Sequence, residues 1–200
     1  MTVSGEQQYV DPEVSRKKFD RELADYRRLE RDYQRRGWFL AESTFPTVLV
    51  VLAAAHLSPP PVVTGVLFDY TNYDARPPSV RLVNPFTREP YRANQLPTPL
   101  NRRVEQPLPG ALDGMQMVAV QSLMQAYTQE DIPFLCLAGV REYHDHPGHS
   151  GDPWELHRPN GAGALVRLLD VVHTYGVAPM AGWSVNFNPQ VTFGWAEPPR

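Results

Sequence analysis

Residues 46–70 have the sequence PTVLVVLAAAHLSPPPVVTGVLFDY. It contains two runs rich in Val, Leu and Phe, at 46–55 and 61–70, and a proline-rich segment lies between them. β-branched and aromatic residues favour strands, whereas consecutive prolines interrupt them. We therefore predict two neighbouring strands joined by a short connection.

Two further strands are predicted on either side of this pair. Residues 38–42 form a short apolar run, and residues 79–84 alternate, with Val80 and Leu82 on one face and Arg81 on the other. The connections are short, which favours antiparallel neighbours. The sequence thus predicts a β-meander.

A helix is predicted before the meander. Asp11, Pro12 and Glu13 combine a capping residue, a proline suited to the first helical position and an acid in the first turn. Spacings of three and four predict one apolar face, made of Phe19, Leu23, Tyr26, Leu29 and Tyr33. Gly37 is expected to end this helix.

The second half of the chain gives weaker patterns. Residues 85–112 are polar and proline-rich, which predicts a loop or an insertion. Residues 115–127 are compatible with a strand or a helix, and the spacing of their apolar residues favours a helix. Residues 132–143 are predicted to be extended, and residues 147–153 to form a turn or loop.

The C-terminal part contains a last helix that starts at Asn160 and Gly161 and stops at Gly176. Its predicted apolar face consists of Leu165, Leu168, Leu169 and Val172. Residues 183–195 are predicted to form a closing strand or a packed extended tail. The fold class is therefore α+β, with an N-terminal helix, an antiparallel meander, a long loop region and a C-terminal helix. We expect residues 1–10 to be a flexible start and residues 11–200 to be a single domain.

Composition limits the classes of function. The 200 residues are 42% apolar and 20% charged, as in soluble globular proteins, and the formal charge of −3 gives no basic surface for nucleic acid. The longest apolar run, 48–55, is too short for a bilayer, and the N-terminus lacks the pattern of a signal peptide. A single cysteine cannot form an internal disulfide. We expect a cytoplasmic protein without a membrane partner.

The reactive side chains concentrate in residues 133–159, PFLCLAGVREYHDHPGHSGDPWELHRP. This stretch holds the only cysteine, Cys136, and four of the six histidines: His144, His146, His149 and His157. The cysteine suits two chemistries, a nucleophile or a metal ligand. A nucleophilic thiol needs a base nearby, which a histidine can supply. Alternatively, Cys136 is a small buried apolar residue between two leucines.

A metal site is the second hypothesis for this stretch. Its candidate ligands fall within eight positions: Glu142, His144, His146 and His149. The first three have the same strand parity, and residues two apart on a strand lie ~6.6 Å apart, so their side chains can converge on one ion. Mixed Glu and His ligands suit Zn²⁺, with Fe²⁺ and Mn²⁺ as alternatives. A polar loop with hydrogen-bonded imidazoles is the third interpretation.

The distance along the chain separates these hypotheses. An extended segment would place Cys136 and Glu142 ~20 Å apart, too far to share an ion. A bend near Gly139 would be required to bring them together. A straight strand would leave a thiol at one end and a Glu/His cluster at the other.

Residues 73–82, YDARPPSVRL, follow the first three predicted strands and run into the fourth. They resemble the Tyr-Pro-x-x-Pro-Pro-x-Val-x-Phe stretch of ubiquitin-conjugating (UBC) enzymes, whose fold also begins with a helix and a meander. Tyr73, Pro77, Pro78 and Val80 match that pattern, and Asp74 stands where the family has a proline. Leu82 likewise replaces the family's phenylalanine.

Further motifs extend the resemblance over most of residues 12–175. Residues 134–137, FLCL, resemble the Ile-Cys-Leu around the catalytic cysteine, and Trp154 with the helix after it resembles the family's tryptophan and following helix. The family's His-Pro-Asn triad before the cysteine is absent here. The segment 78–136 is longer than usual for the family, and the histidines are not a family feature.

Cys136, Glu142 and the following histidines resemble a bacterial family named for a Cys-Glu-His-His set. That family is predicted to bind metal and belongs to gene clusters with ubiquitin-like modifiers, activating enzymes and a JAB-type peptidase. The two resemblances together imply a UBC-like carrier that takes a ubiquitin-like modifier on Cys136 as a thioester and transfers it to an acceptor. The alternatives are a metal-binding protein of the same pathway and an inactive UBC-fold scaffold. The implied partners are the modifier, its activating enzyme and the peptidase.

Overall fold

The computed structural model describes residues 7–107 and 116–185, together with the single positions 190 and 194. The chain begins with α1 (Pro12–Arg28) and α2 (Glu30–Arg35). The Asp11 carboxylate accepts a hydrogen bond from the Glu13 amide at 2.9 Å, which confirms the predicted start. The predicted continuous helix is interrupted at Leu29, whose backbone leaves the helical conformation and whose side chain is exposed.

The four predicted strands are confirmed. They are β1 (Trp38–Thr44), β2 (Thr47–Ala53), β3 (Val62–Asp69) and β4 (Ser79–Val83). They lie side by side in sequence order, and each adjacent pair is antiparallel. The α+β layout predicted from the sequence is therefore correct.

The core lies between one face of this sheet and the helices. The buried sheet residues that form it include Val48, Val50, Leu52, Val66, Phe68, Val80 and Leu82. Phe19, Leu23 and Tyr26 of α1 cover them from one side. Full burial of each large apolar side chain contributes ~1.5–3 kcal/mol, so this interface dominates the stability of the domain.

A β-hairpin occupies part of the region predicted as a loop or insertion. It consists of β5 (Asn101–Pro107) and β6 (Gln116–Ser122), which pair antiparallel. The predicted helix at 115–127 is therefore wrong. The helix was predicted from the spacing of Met117, Val120 and Met124, but Met117 and Val120 are 40% and 66% exposed, so this spacing does not mark a buried helical face. Strand pairing and β-branched residues decide the local structure instead.

The predicted extended segment at 132–143 is also wrong for most of its length. Only β8 (Phe134–Leu135) is a strand, and it pairs with β7 (Met124–Gln125). The chain then turns and enters a short helix, α3 (Arg141–Asp145). Gly139 makes this turn possible, because a Cβ there would lie 2.0 Å from the carbonyl oxygen of Ala162.

The last helix, α4 (Leu165–Val172), starts later than predicted and continues as a π-helical turn, His173–Val177. Its predicted apolar face is buried, as expected. The buried Glu22 of α1 joins this helix to the rest of the fold: its carboxylate accepts hydrogen bonds from the Leu165 amide at 3.1 Å and the Tyr73 hydroxyl at 3.2 Å. One carboxylate thus links both helices and the loop before β4.

The two ends of the described chain contact the loops of the domain. The Asn72 side chain accepts hydrogen bonds from the amides of Tyr9 and Val10. The Trp183 indole donates to the Pro59 carbonyl at 2.9 Å. Most of the predicted strand or tail at 183–195, and the first six residues of the predicted flexible start, lie outside the described residues. Within the described part, the helices lack the length and apolar character that crossing a bilayer requires.

Candidate functional site

Cys136 lies immediately after β8. Its backbone amide donates to the Leu123 carbonyl at 2.7 Å, which fixes the start of the turn against the segment between β6 and β7. Cys136 is partly buried as a residue. Its thiol therefore belongs to a residue that is outside the fully buried core and whose backbone is held in place.

The chain after Cys136 returns toward the thiol. The turn at Gly139 leads into α3, and a 3₁₀ turn, Pro147–His149, follows. His149 Nε2 consequently lies 3.6 Å from Cys136 Sγ, within the range of a hydrogen bond to sulfur. The bend that the sequence required near Gly139 is present, and it joins the thiol to one of the predicted histidines.

The His149 ring is held by Tyr143 of α3. The two rings stack with their centroids 3.9 Å apart and their planes at 20°. The Tyr143 hydroxyl donates to Asp152 Oδ2 at 2.7 Å, and Asp152 Oδ1 lies 2.5 Å from His157 Nε2. A connected set of side chains therefore runs from the thiol to Asp152 and His157.

Electrostatics in the site depend on burial and on these hydrogen bonds. Burial raises the pKa of the Cys136 thiol, and the positive charge of Arg102 acts in the opposite direction. The hydrogen bond to Asp152, with burial and the nearby negative charge, raises the pKa of Tyr143 to about 12. Hydrogen bonds from Tyr143 and His157 lower the pKa of Asp152. The raised pKa favours the protonated thiol, so a base beside the sulfur would assist a reaction there.

His144, a predicted metal ligand, has both ring nitrogens engaged. Nε2 lies 2.7 Å from the Ala138 carbonyl and Nδ1 lies 2.9 Å from the Asp152 carbonyl. Carbonyl oxygens only accept hydrogen bonds, and a neutral imidazole has one N–H, so the tautomer decides which of the two carbonyls receives it. In this arrangement His144 links the turn after Cys136 to the loop at Asp152.

The other two predicted ligands also have separate partners. His146 Nδ1 accepts a hydrogen bond from the Gly148 amide at 3.1 Å. The Glu142 carboxylate accepts from the Ser79 hydroxyl and pairs with Arg81 at 3.1 Å, on the sheet side of α3. Among the described residues, no group of three or more His, Cys, Asp or Glu side chains is arranged to hold a metal ion. Of the four predicted ligands, only His149 contacts the thiol, and metal binding stays a prediction.

Three contributors to the site were not assigned from the sequence: Tyr143, Asp152 and Arg102. Tyr143 and Asp152 lie inside the histidine-rich stretch, but an extended chain at 132–143 would have separated them from Cys136. A helix prediction for Arg141–Asp145 followed by a turn at Pro147 and Gly148 would have brought them together. Arg102 comes from the hairpin, whose first strand the sequence did not reveal.

The segments that carry the UBC resemblance lie against this site. The Arg141 amide donates to the Pro78 carbonyl at 2.9 Å. The buried Trp154 indole donates to the Asp74 carbonyl at 2.8 Å. The proline-rich loop before β4 therefore supports both sides of the segment that contains the thiol and its histidine.

Comparison with known proteins gives a family for the whole unit. A family model described as "Y4jH-like: Y4jH family" matches residues 10–180, which include both helical ends, the sheet and the thiol site. The chain belongs to the Y4jH-like family. A curated relative from Sinorhizobium fredii (strain NBRC 101917 / NGR234), named "Uncharacterized protein y4jH", is 45% identical in a 181-residue alignment that covers 87% of this chain and 87% of the relative. The Y4jH-like match thus covers the candidate site as well as the fold.

Proposed function

We propose that this protein is a carrier that accepts a ubiquitin-like modifier on Cys136 as a thioester and transfers it to an acceptor amine. The contact of 3.6 Å between Cys136 Sγ and His149 Nε2 carries this proposal. A histidine at that distance can take the thiol proton as the sulfur attacks. The α+β meander fold and the packing of Trp154 against the loop at Asp74 support the same assignment. We expect this reaction in the cytoplasm.

The chemistry needs one thiol and one base. His149 Nε2 accepts the proton of the Cys136 thiol, and the thiolate attacks the carbonyl carbon of a modifier held as a thioester on its activating enzyme. The tetrahedral intermediate then expels the activating enzyme's thiolate, which takes the proton from His149. In the second transfer an acceptor amine attacks the same carbonyl carbon, expels Cys136 as a thiolate and loses a proton to His149. His149 then returns this proton to the sulfur.

A peptide thioester that ends in Gly-Gly tests the first step without any partner protein. We expect the wild type to gain the mass of the acyl group, and hydroxylamine or excess thiol to remove it. The Cys136→Ala variant should gain nothing. Unmodified wild-type protein under conditions that acylate a free cysteine peptide would contradict the proposal.

The activating enzyme and ubiquitin-like modifier of the same host test the full reaction. With ATP, the wild type should form a thiol-labile adduct visible on a non-reducing gel. Cys136→Ser should give a more stable oxyester or no adduct. Normal conjugation by Cys136→Ala would exclude Cys136 as the carrier residue.

The metal hypothesis keeps one specific observation in its favour. Cys136 and His149 are both ligand types for Zn²⁺, and they already lie side by side. Elemental analysis of protein purified without chelator measures this directly. Stoichiometric metal that is lost in Cys136→Ala and His149→Ala would favour a metal-binding protein of the pathway over a carrier.

The inactive scaffold is favoured by the burial that raises the pKa of the Cys136 thiol. A scaffold would bind the modifier or its activating enzyme without a covalent adduct. Tight binding measured by calorimetry, together with no acylation by the peptide thioester, would support this alternative. Acylation of Cys136 would exclude it.

A further inference from the structure

Asp152 occupies a central place behind the thiol and its histidine. Its backbone amide donates to the His149 carbonyl at 3.0 Å, so the two residues belong to one closed turn. Its Oδ2 accepts from the Tyr143 hydroxyl, and the Tyr143 ring stacks on the His149 ring. His149, Asp152 and Tyr143 therefore form a closed triangle made of a backbone bond, a side-chain bond and a ring stack.

Two further contacts fix Asp152 itself. His157 Nε2 lies 2.5 Å from Asp152 Oδ1, so both carboxylate oxygens are engaged. His144 Nδ1 lies 2.9 Å from the Asp152 carbonyl, while its Nε2 reaches the Ala138 carbonyl in the turn after the thiol. The turn that carries the thiol and the turn that carries His149 are thus connected through Asp152.

We propose that Asp152 and Tyr143 are positioning residues that hold the His149 ring so that Nε2 faces Cys136 Sγ. This inference rests on the proposed function, because it requires that His149 acts on the thiol. In many nucleophilic sites a carboxylate orients the histidine by a direct hydrogen bond. Here the Asp152 carboxylate acts indirectly. It holds the Tyr143 hydroxyl, and the face of the Tyr143 ring then fixes the plane of the His149 imidazole.

Positioning is needed because an imidazole without side-chain contacts rotates freely. A histidine side chain has two rotatable bonds, and rotation about either one removes Nε2 from the sulfur. Stacking at 3.9 Å restricts the ring to one plane. The Tyr143 ring can provide that plane only while its own hydroxyl is anchored.

The experiment measures the rate at which a Gly-Gly peptide thioester acylates Cys136, by intact mass between pH 6 and 9. Asp152→Ala should lower the rate at pH 7 about tenfold, and Tyr143→Leu should do the same. Asp152→Asn should recover most of the rate, since an amide oxygen still accepts from the Tyr143 hydroxyl. Asp145→Asn is the matched control, because Asp145 is exposed and pairs with Arg76 instead.

A double mutant separates positioning from general loosening of the fold. If Asp152 acts through His149, Asp152→Ala combined with His149→Ala should be no slower than His149→Ala alone. Multiplied effects of the two substitutions, or a wild-type rate in Asp152→Ala, would overturn the inference. Thermal melts of each variant show whether a slow rate follows from unfolding, and Tyr143→Leu, alone and combined with His149→Ala, replaces Asp152→Ala if the latter does not fold.

Different results overturn the proposed function and the positioning role of Asp152. If His149→Ala leaves the acylation rate unchanged, the base role in the proposed function is wrong and the positioning inference is overturned with it. If His149→Ala is slow and Asp152→Ala is not, only the positioning inference is overturned. Dependence on both residues with the peptide, but no adduct from the activating enzyme, would retain the inference and reject the carrier function.

Discussion

The meander sheet and the segment 136–157 are held together by different kinds of contact. The sheet buries a large set of apolar side chains against two helices. The segment 136–157 depends on a few directed contacts, such as the one between Cys136 and His149 and the one between Tyr143 and Asp152. Truncation of core side chains in the sheet should therefore cost stability, whereas removal of the polar side chains in the segment should cost reactivity at nearly constant stability.

The largest change in stability is expected from Phe68→Ala in the sheet. Phe68 is fully buried in β3, and its truncation should lower the free energy of unfolding by about 3–5 kcal/mol through lost burial and a cavity. Urea unfolding followed by circular dichroism measures this loss. Phe86→Ala is the matched control, since Phe86 is 84% exposed and should change stability by under ~0.5 kcal/mol. Equal losses in the two variants would contradict a core centred on the sheet.

His149→Ala tests whether the segment 136–157 determines reactivity. Removal of the base beside Cys136 should slow acylation by a Gly-Gly peptide thioester about 100-fold at pH 7, equivalent to about 2.7 kcal/mol of activation free energy. The melting temperature should change little, because His149 is not a core residue. His56→Ala is the control: His56 is exposed and bonds to the Met180 carbonyl. A large loss of stability with unchanged reactivity would reverse the distinction between the two regions.

Gly139→Ala should lower both the stability of the fold and the reactivity of the thiol. The new Cβ would lie 2.0 Å from the Ala162 carbonyl oxygen, so the turn after Cys136 must move away from the segment before α4. We expect a loss of about 1–3 kcal/mol in unfolding free energy together with slower acylation. At Gly151 a Cβ meets nothing within 4 Å, so Gly151→Ala should change neither property. Wild-type behaviour of Gly139→Ala would show that the turn is not fixed by this approach.

The smallest expected effect concerns the pH dependence of the thiol. Because burial raises the pKa of Cys136, its alkylation by iodoacetamide should have a midpoint above the value of ~8.5 for free cysteine. Because the pKa of Cys136 is higher in the folded than in the unfolded protein, the thiol contributes to stability at pH values below its unfolded-state pKa. This contribution is lost as the pH rises through its folded-state pKa.

Arg102→Gln should raise that midpoint further, by a few tenths of a pH unit, because the positive charge of Arg102 favours the thiolate. Arg103→Gln is the matched control on the opposite face of the hairpin. A midpoint below that of free cysteine in the wild type would contradict the burial of the sulfur.

The sheet was predictable because its pattern is local and repeated. The Val, Leu and Phe content of residues 46–55 and 61–70 predicts strands, and short connections leave few alternatives for the order of these strands. The helix start at Asp11 was predictable for the same reason, since capping depends on neighbouring residues. Burial then selects the face, as the alternation of Val80 and Leu82 with Arg81 indicates.

The site was predictable in its residues but not in its geometry. Cys136 and His149 were both recognised as reactive, yet the distance between them depends on a turn at Gly139 that exists because another segment packs there. Glu142 and His144 shared a parity that mattered only for a strand, and in α3 their side chains find different partners. A tertiary contact, which no local pattern encodes, decided which of the candidates meet.

The two strands of the β5–β6 hairpin leave and rejoin the rest of the fold side by side. The Leu123 amide bonds to the Leu100 carbonyl at 2.9 Å, which closes the base of the hairpin. A connection closed in this way tolerates a change in length at little entropic cost. Insertions in the hairpin should therefore be tolerated better than insertions in the turn after Cys136, where the approach of Ala162 fixes the backbone.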